Sequence, residues 1–196
     1  MNRFLKIAIT PVSPFVGEAE AISAILNGGW YAVHLRHPEA TIDEMRQIIR
    51  QIPSNLHSRL RLHDHFTLAE EFSIGGLHLN RRSPQAPASF RGTLSRSCHS
   101  IAEVAESNDV KYVTLSPIFD SISKSGYKSA FSPADLSFLK EKHNTLVIAL
   151  GGITPENALI AKRLGFDGIA VLGSLFGTRP SGEGVAKRLK LFDINK

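Results

Sequence analysis

Two glycine-bearing turns suggest anion chemistry before any element is assigned. "ALGGITPEN" (149–157) ends an apolar run in Gly151-Gly152. Thr154 follows as a candidate N-cap, with Pro155 at the first helical position. Glycines let a backbone approach a ligand closely, and amides at a helix start attract negative charge. "VLGSLFG" (171–177) repeats the idea with Gly173 and Ser174. Two such turns in succession point to a phosphate group. A third stretch, "LSPIFDSISKSGYKSAFSP" (115–133), is too long and polar for an ordinary connection, and long loops in compact chains usually have a function. Its Ser121, Ser123 and Lys124 offer hydroxyls and an ammonium, groups suited to a diphosphate.

Five of the eight histidines lie at or near the ends of apolar runs: His34, His63, His65, His78 and His99. Imidazole titrates near working pH, so His34 and His99 are acid–base candidates. His78, inside "GLHL", reads as a core histidine. "HDH" (63–65) has the spacing of a metal pair on a strand, yet no further ligand completes a zinc site. Cys98, the single cysteine, reads as a small buried residue and excludes a disulfide framework.

The elements that must position these groups alternate. Short apolar runs at 4–10, 31–36, 59–63, 76–79, 92–97, 112–116, 146–152 and 168–173 are separated by segments with apolar residues at i, i+3, i+4. Such alternation implies parallel strands joined by crossovers. Eight strands predict a single-domain (β/α)8 barrel over residues 1–196. That length is small for the fold, so outer helices should be short or missing. The Pro-rich "NRRSPQAPASFR" after the fourth run has room for no more than a turn of helix. Polar residues stop nearly every run, among them His34, Arg36, His63, Asp64, Ser97 and His99. Barrel enzymes build their sites from such C-terminal strand ends, and place phosphate after strands seven and eight.

Net charge is +5, but the basic residues are scattered, with no long block and no interleaved aromatics. That argues against nucleic acid and suits a small anionic substrate. No run of 18 apolar residues marks a membrane span, and the start of the chain reads as a strand rather than a signal peptide. A reducing, cytoplasmic setting is expected.

The motifs "HLR", "HD", "GLHLN", "SRSCHS", "SPIFDSISK", "ALGGITPEN" and "GIAVLGS" occur in the order seen in the thiamine phosphate synthase / TenI family, and the chain resembles that family over about residues 5 to 176. Family synthases are (β/α)8 barrels that use Mg2+. They join a hydroxymethylpyrimidine diphosphate to a thiazole phosphate and release pyrophosphate. The resemblance assigns Arg36 to the diphosphate, Asp64 to the metal, Ser97 to the strand-five serine, and Ser121, Ser123 and Lys124 to a flap over the leaving group. Gly152 matches the glycine at the thiazole phosphate, with Gly151, Gly173, Ser174 and His63 counted among the substrate contacts. Partners are then small phosphorylated substrates, with a homodimer as the expected assembly, and neither nucleic acid nor membrane.

Three departures qualify the match. His34 stands for the family's Gln and Pro38 for its Lys; His63 stands for Asn; and Ser83 stands where a second metal aspartate is expected. With one carboxylate left, Mg2+ should bind weakly, and Arg81 or Arg82 could supply the charge instead. The related TenI branch, thiazole tautomerases, is the alternative: a metal-independent proton shift by His34 or His99. Its histidine after strand six falls at Pro117, the residue that synthases carry. A thiazole-phosphate binder without activity is the third possibility.

Overall fold

The computed structural model describes residues 4–120, 130–132, 134–141 and 144–193. All eight apolar runs are strands: β1 (Leu5–Ile9), β2 (Ala32–Leu35), β3 (Leu60–Leu62), β4 (Gly76–Leu79), β5 (Thr93–Cys98), β6 (Tyr112–Leu115), β7 (Leu146–Leu150) and β8 (Gly168–Val171). Each pairs in parallel with the next, and β8 returns to β1, closing a (β/α)8 barrel.

The outer layer is thin, as the length demanded. α1 (Glu18–Asn27) and α2 (Ile42–Gln51) are the longest helices described. α2 is capped from both sides: the Thr41 hydroxyl accepts from the Glu44 amide at 3.2 Å, and the Glu44 carboxylate accepts from the Thr41 amide at 2.7 Å. Its Met45 and Ile49, four residues apart, face the barrel. α3 (Leu68–Glu71) is a single turn, and α4 (Ile101–Glu106) is six residues long. No helix joins β4 to β5, and a 3-10 helix, Asp135–Lys140, stands in the connection from β6 to β7. Two readings need correction. α5 (Ala158–Leu164) begins three residues later than Pro155, because Thr154 and Asn157 first close a turn. In that turn the Thr154 amide donates to Asn157 Oδ1 at 2.8 Å and the Asn157 amide to Thr154 Oγ1 at 3.4 Å. The sequence also gave no warning of two helices after β8: α6 (Gly173–Phe176) and α7 (Gly182–Leu189), the second packed on α1.

Strand register decides which side chains enter the barrel. Paired residues of parallel strands share a face, so one line runs Ile9–His34–Arg61–Gly76, a second His78–Ser95–Tyr112–Leu146, and a third Ser97–Thr114–Ile148–Gly168. The interior is therefore divided. From β7, β8 and β1 it receives Ile148, Ala170, Ile7 and Ile9; from β2 to β6 it receives His34, Arg61, His78, Ser95, Tyr112 and Thr114. Gly76 is the concession that admits Arg61, since a Cβ there would run into the arginine side chain and the Thr93 carbonyl. A larger apolar layer lies outside, between strands and helices, and includes Trp30, Leu62, Cys98 and Phe176. Among the described residues, no helix is long and apolar enough to cross a membrane.

Candidate active site

The polar half of the interior opens at the C-terminal strand ends, where the sequence placed the chemistry. Arg36 leaves β2 on a fixed backbone: its amide donates to Thr10 Oγ1 at 2.8 Å. Behind it, buried His37 lies 3.1 Å from Glu18 Oε1 and 3.4 Å from Thr10 Oγ1. The Arg36 guanidinium is half-buried. Burial and the neighbouring Arg82 charge lower its pKa, with Asp64 acting in the opposite sense. Arginine stays charged at working pH all the same.

Asp64 follows β3 and is not a free carboxylate. Arg82 donates to both of its oxygens, Nε to Oδ1 at 3.1 Å and Nη2 to Oδ2 at 2.8 Å. That contact raises the Arg82 pKa. Ser83 Oγ lies 3.4 Å from Oδ1, too long for more than a weak hydrogen bond. Asn80 builds the turn that holds the arginine. Its Oδ1 accepts the amides of Arg82 and Ser83 at 2.9 and 3.3 Å, while its Nδ2 donates to the carbonyls of His63 and His78 at 2.7 and 3.1 Å.

This donor set is a poor fit for Mg2+. The ion takes one or two carboxylates together with substrate oxygens. Here the single carboxylate faces a guanidinium on both oxygens, and the second position is a hydroxyl. The Asp64–Arg82 pair does not prevent metal binding by its own strength, since Arg82 is 45% exposed and such pairs contribute at most about 1 kcal/mol. The missing carboxylate and the two nearby guanidinium groups are the larger obstacles.

Below the mouth lies a network that the sequence only half revealed. His34 Nδ1 is 2.9 Å from His63 Nε2, and His34 Nε2 is 2.7 Å from the Tyr112 hydroxyl. His78 stacks on His63 with ring centroids 4.2 Å apart. Its Nδ1 lies 2.9 Å from Ser95 Oγ and its Nε2 lies 2.8 Å from Ser97 Oγ. Burial holds the His78 pKa down at about 3, so the ring is neutral. The proton order follows from the partners. Ser95 donates to the Leu77 carbonyl at 3.2 Å, so it accepts from His78 Nδ1. A neutral imidazole has one N–H, so His78 Nε2 accepts from Ser97. The Ser97 proton thus points inward, and its lone pairs are left for the mouth.

That geometry encloses His34, the acid–base candidate. The residue is fully buried, and both ring nitrogens have partners. Burial, with His78 and Arg61 beside it, keeps its pKa well below 6.5. His63, at the rim, is likewise kept neutral, by burial first and then by His78, His34, Arg36 and Arg82. His34, His63 and His78 bring ligand-type nitrogens within 4.8 Å of one another, but five of their six ring nitrogens already have hydrogen-bond partners. Arg61 adds positive charge beside them, so a hydrogen-bonded trio fits better than a cation centre. His65 takes no part; its backbone turns to φ 53° and its Nε2 reaches the Ala40 carbonyl at 2.7 Å. His99 is exposed, with Nδ1 3.2 Å from the Ser116 carbonyl. Near it, a cavity of about 470 Å³ opens where the β4–β5 helix is missing, lined by Asn80, Arg81, Arg96, Ser97, His99 and Glu103 among others.

The two glycine turns meet as expected of neighbouring strand ends. Ser174 Oγ, in α6, donates to the Ile153 carbonyl in the β7 turn. Gly152 has φ +63°, and a Cβ there would lie 2.6 Å from the Phe119 carbonyl oxygen and close on that of Asp120. The β6 loop therefore rests directly on the β7 turn, and only glycine fits between them. Gly151 is equally positive, at φ 93°. Gly173 and Ser174 open α6, whose Leu175 and Phe176 amides donate to the Leu172 carbonyl at 3.1 and 2.9 Å. Ser121, Ser123 and Lys124 lie outside the described residues.

Known proteins resemble this chain over most of its length. A thiamine-phosphate synthase of Syntrophomonas wolfei is 28% identical over 181 residues, 87% of this chain and 86% of the relative. A thiamine-phosphate synthase of Nitrosococcus oceani is 29% identical over 189 residues, 88% of this chain and 84% of the relative. The crystal structure of a thiamine phosphate pyrophosphorylase from Bacteroides thetaiotaomicron superposes with a TM-score of 0.83 at 32% identity, covering 96% of this chain and 95% of that one. The thiamine monophosphate synthase family model matches residues 8–175, and the chain belongs to that family.

Proposed function

We propose that the chain is a transferase of thiamine biosynthesis that condenses a hydroxymethylpyrimidine diphosphate with a thiazole phosphate, giving thiamine phosphate and pyrophosphate. The observation that carries this reading is the paired guanidinium groups of Arg36 and Arg82 at the ends of β2 and β4, on a barrel whose β7 and β8 ends carry glycine turns. The first pair suits a diphosphate and the second a monophosphate. The bond from the pyrimidine methylene carbon to the bridging oxygen breaks, and its electron pair leaves with pyrophosphate. The thiazole nitrogen supplies the pair for the new C–N bond. No proton moves and no protein nucleophile is required. The protein's task is charge stabilisation on the departing oxygens, by Arg36 and by Lys124 of the flap.

His63 follows β3 and Ser97 lies near the end of β5, where a neutral imidazole and a serine lone pair would meet the pyrimidine. Gly151, Gly152, Gly173 and Ser174 would hold the thiazole phosphate. Mg2+, which the family resemblance implies, finds a weak site here at Asp64. The tautomerase alternative is left with His99 alone, since His34 is sealed in the core. We place the reaction in the cytoplasm, and a homodimer remains the proposed assembly.

Complementation tests this in a cell. In a bacterial strain that lacks its own synthase, the chain should restore growth without thiamine. Growth only on added thiamine, with the protein present in soluble form, would count against the assignment.

A further inference from the structure

We propose that Arg82 takes over the charge-neutralising work of a divalent cation, so that this chain holds diphosphate with two guanidinium groups and turns over without added metal. The proposal rests on the reading of the site as a diphosphate site and adds how its charge is met.

Asp64 engages only part of the Arg82 guanidinium. An arginine carries five N–H donors. Two of the nitrogens, Nε and Nη2, face Asp64. Nη1 and the second Nη2 proton are left for another anion. The Asp64 carboxylate then serves to aim the guanidinium rather than to hold an ion. Asn80 fixes the backbone on which Arg82 sits, tying it to the ends of β3 and β4 through the carbonyls of His63 and His78. Such fixing matters because a charge stabilises departing pyrophosphate best when no reorganisation is needed at the moment of reaction.

Charge count supports the same assignment. Arg36 lies near enough to feel Arg82: after burial, the Arg82 charge depresses the Arg36 pKa, while Asp64 offsets part of that. Without a ligand, the three groups sum to one positive charge. A diphosphate brings more negative charge than that, so the cluster attracts it as it stands. A dication entering Asp64 would have to part it from Arg82 and then sit beside two like charges. Only one carboxylate would repay it, because Ser83 occupies the other position.

Inorganic pyrophosphate is the probe, titrated by calorimetry into metal-stripped protein in EDTA. Wild type should bind it, and added Mg2+ should change the affinity less than about threefold. Arg82→Ala should weaken metal-free binding at least about tenfold, the scale of one lost charge-assisted contact. Arg82→Lys should recover part of it. At 45% side-chain exposure, Arg82 can be truncated without opening the core, and circular dichroism would verify the fold. Ser83→Asp should install the missing carboxylate and make pyrophosphate binding respond to Mg2+. Pyrophosphate binding that needs Mg2+ in wild type, or that ignores Arg82→Ala, would overturn the proposal. Condensation assays separate this from the functional reading. Turnover only with Mg2+ refutes the role of Arg82 and keeps the synthase, whereas no condensation under any condition refutes the synthase and leaves the pyrophosphate titration to judge the site.

Discussion

Arg36→Ala should lower kcat for the condensation by about a hundred- to a thousandfold, the cost of removing one preorganised contact to developing charge. The residue is well prepared for that task. Its amide is held by Thr10, its loop is backed by the buried His37 and Glu18, and its guanidinium is half-buried among charged neighbours. Arg36→Lys keeps the charge but loses the planar fork, so it should recover only part of the loss. Affinity for thiazole phosphate should stay within about twofold, because that anion belongs to the β7 and β8 turns. Calorimetry with thiazole phosphate and steady-state assays on both variants check the split. Equal losses in kcat and in thiazole phosphate affinity would place Arg36 in the wrong half of the site.

Acid should unfold the protein steeply, starting near pH 6. His34, His63 and His78 are neutral in the fold because burial lowers their pKa values, His78 to about 3. In the unfolded chain the same groups protonate at about 6.5. Between those limits the unfolded state binds more protons, so stability is full above pH 6.5 and falls as pH drops. Each such histidine costs about 1.4 kcal/mol per pH unit, and three together about 4. For a domain of ordinary stability, one and a half units below pH 6.5 would consume much of it. Urea unfolding at pH steps between 6.5 and 5 measures the slope, above the range where most carboxylates titrate. His78→Gln should reduce that slope by about one proton, whatever it does to absolute stability. A wild-type slope below one proton would mean that the trio is not neutral and buried as described.

The contrast between these two experiments reflects what a sequence can carry. Strands were legible because each short apolar run ended in its own punctuation, and all eight emerged with ends within two residues of those runs. α2 was legible because Thr41 and Glu44 form a capping box. α5 was misplaced because Thr154-Pro155 marks the start of a turn as readily as that of a helix. The burial of His34 was not legible, for a deeper reason. It sits one residue before the end of β2, and whether that position faces the mouth or the sealed interior depends on the stagger of neighbouring strands. Local pattern does not encode stagger. Likewise Asp64 and Arg82 are eighteen residues apart and meet only because the Asn80 turn folds back on β3. Tyr112 and Arg61 followed the interior parity all along, yet nothing in their immediate neighbours marked them as partners of the histidines.

The central claim is the condensation itself, and product analysis tests it most directly. Purified, metal-stripped protein is incubated with hydroxymethylpyrimidine diphosphate and thiazole phosphate, and separately with thiazole carboxylate phosphate alone, and the products are read by mass spectrometry. Thiamine phosphate and pyrophosphate should appear in equal amounts from the pair, in EDTA as well as in Mg2+, and the carboxylate should be returned unchanged. An isomerised carboxylate with no thiamine phosphate from the pair, under either condition, would contradict the account.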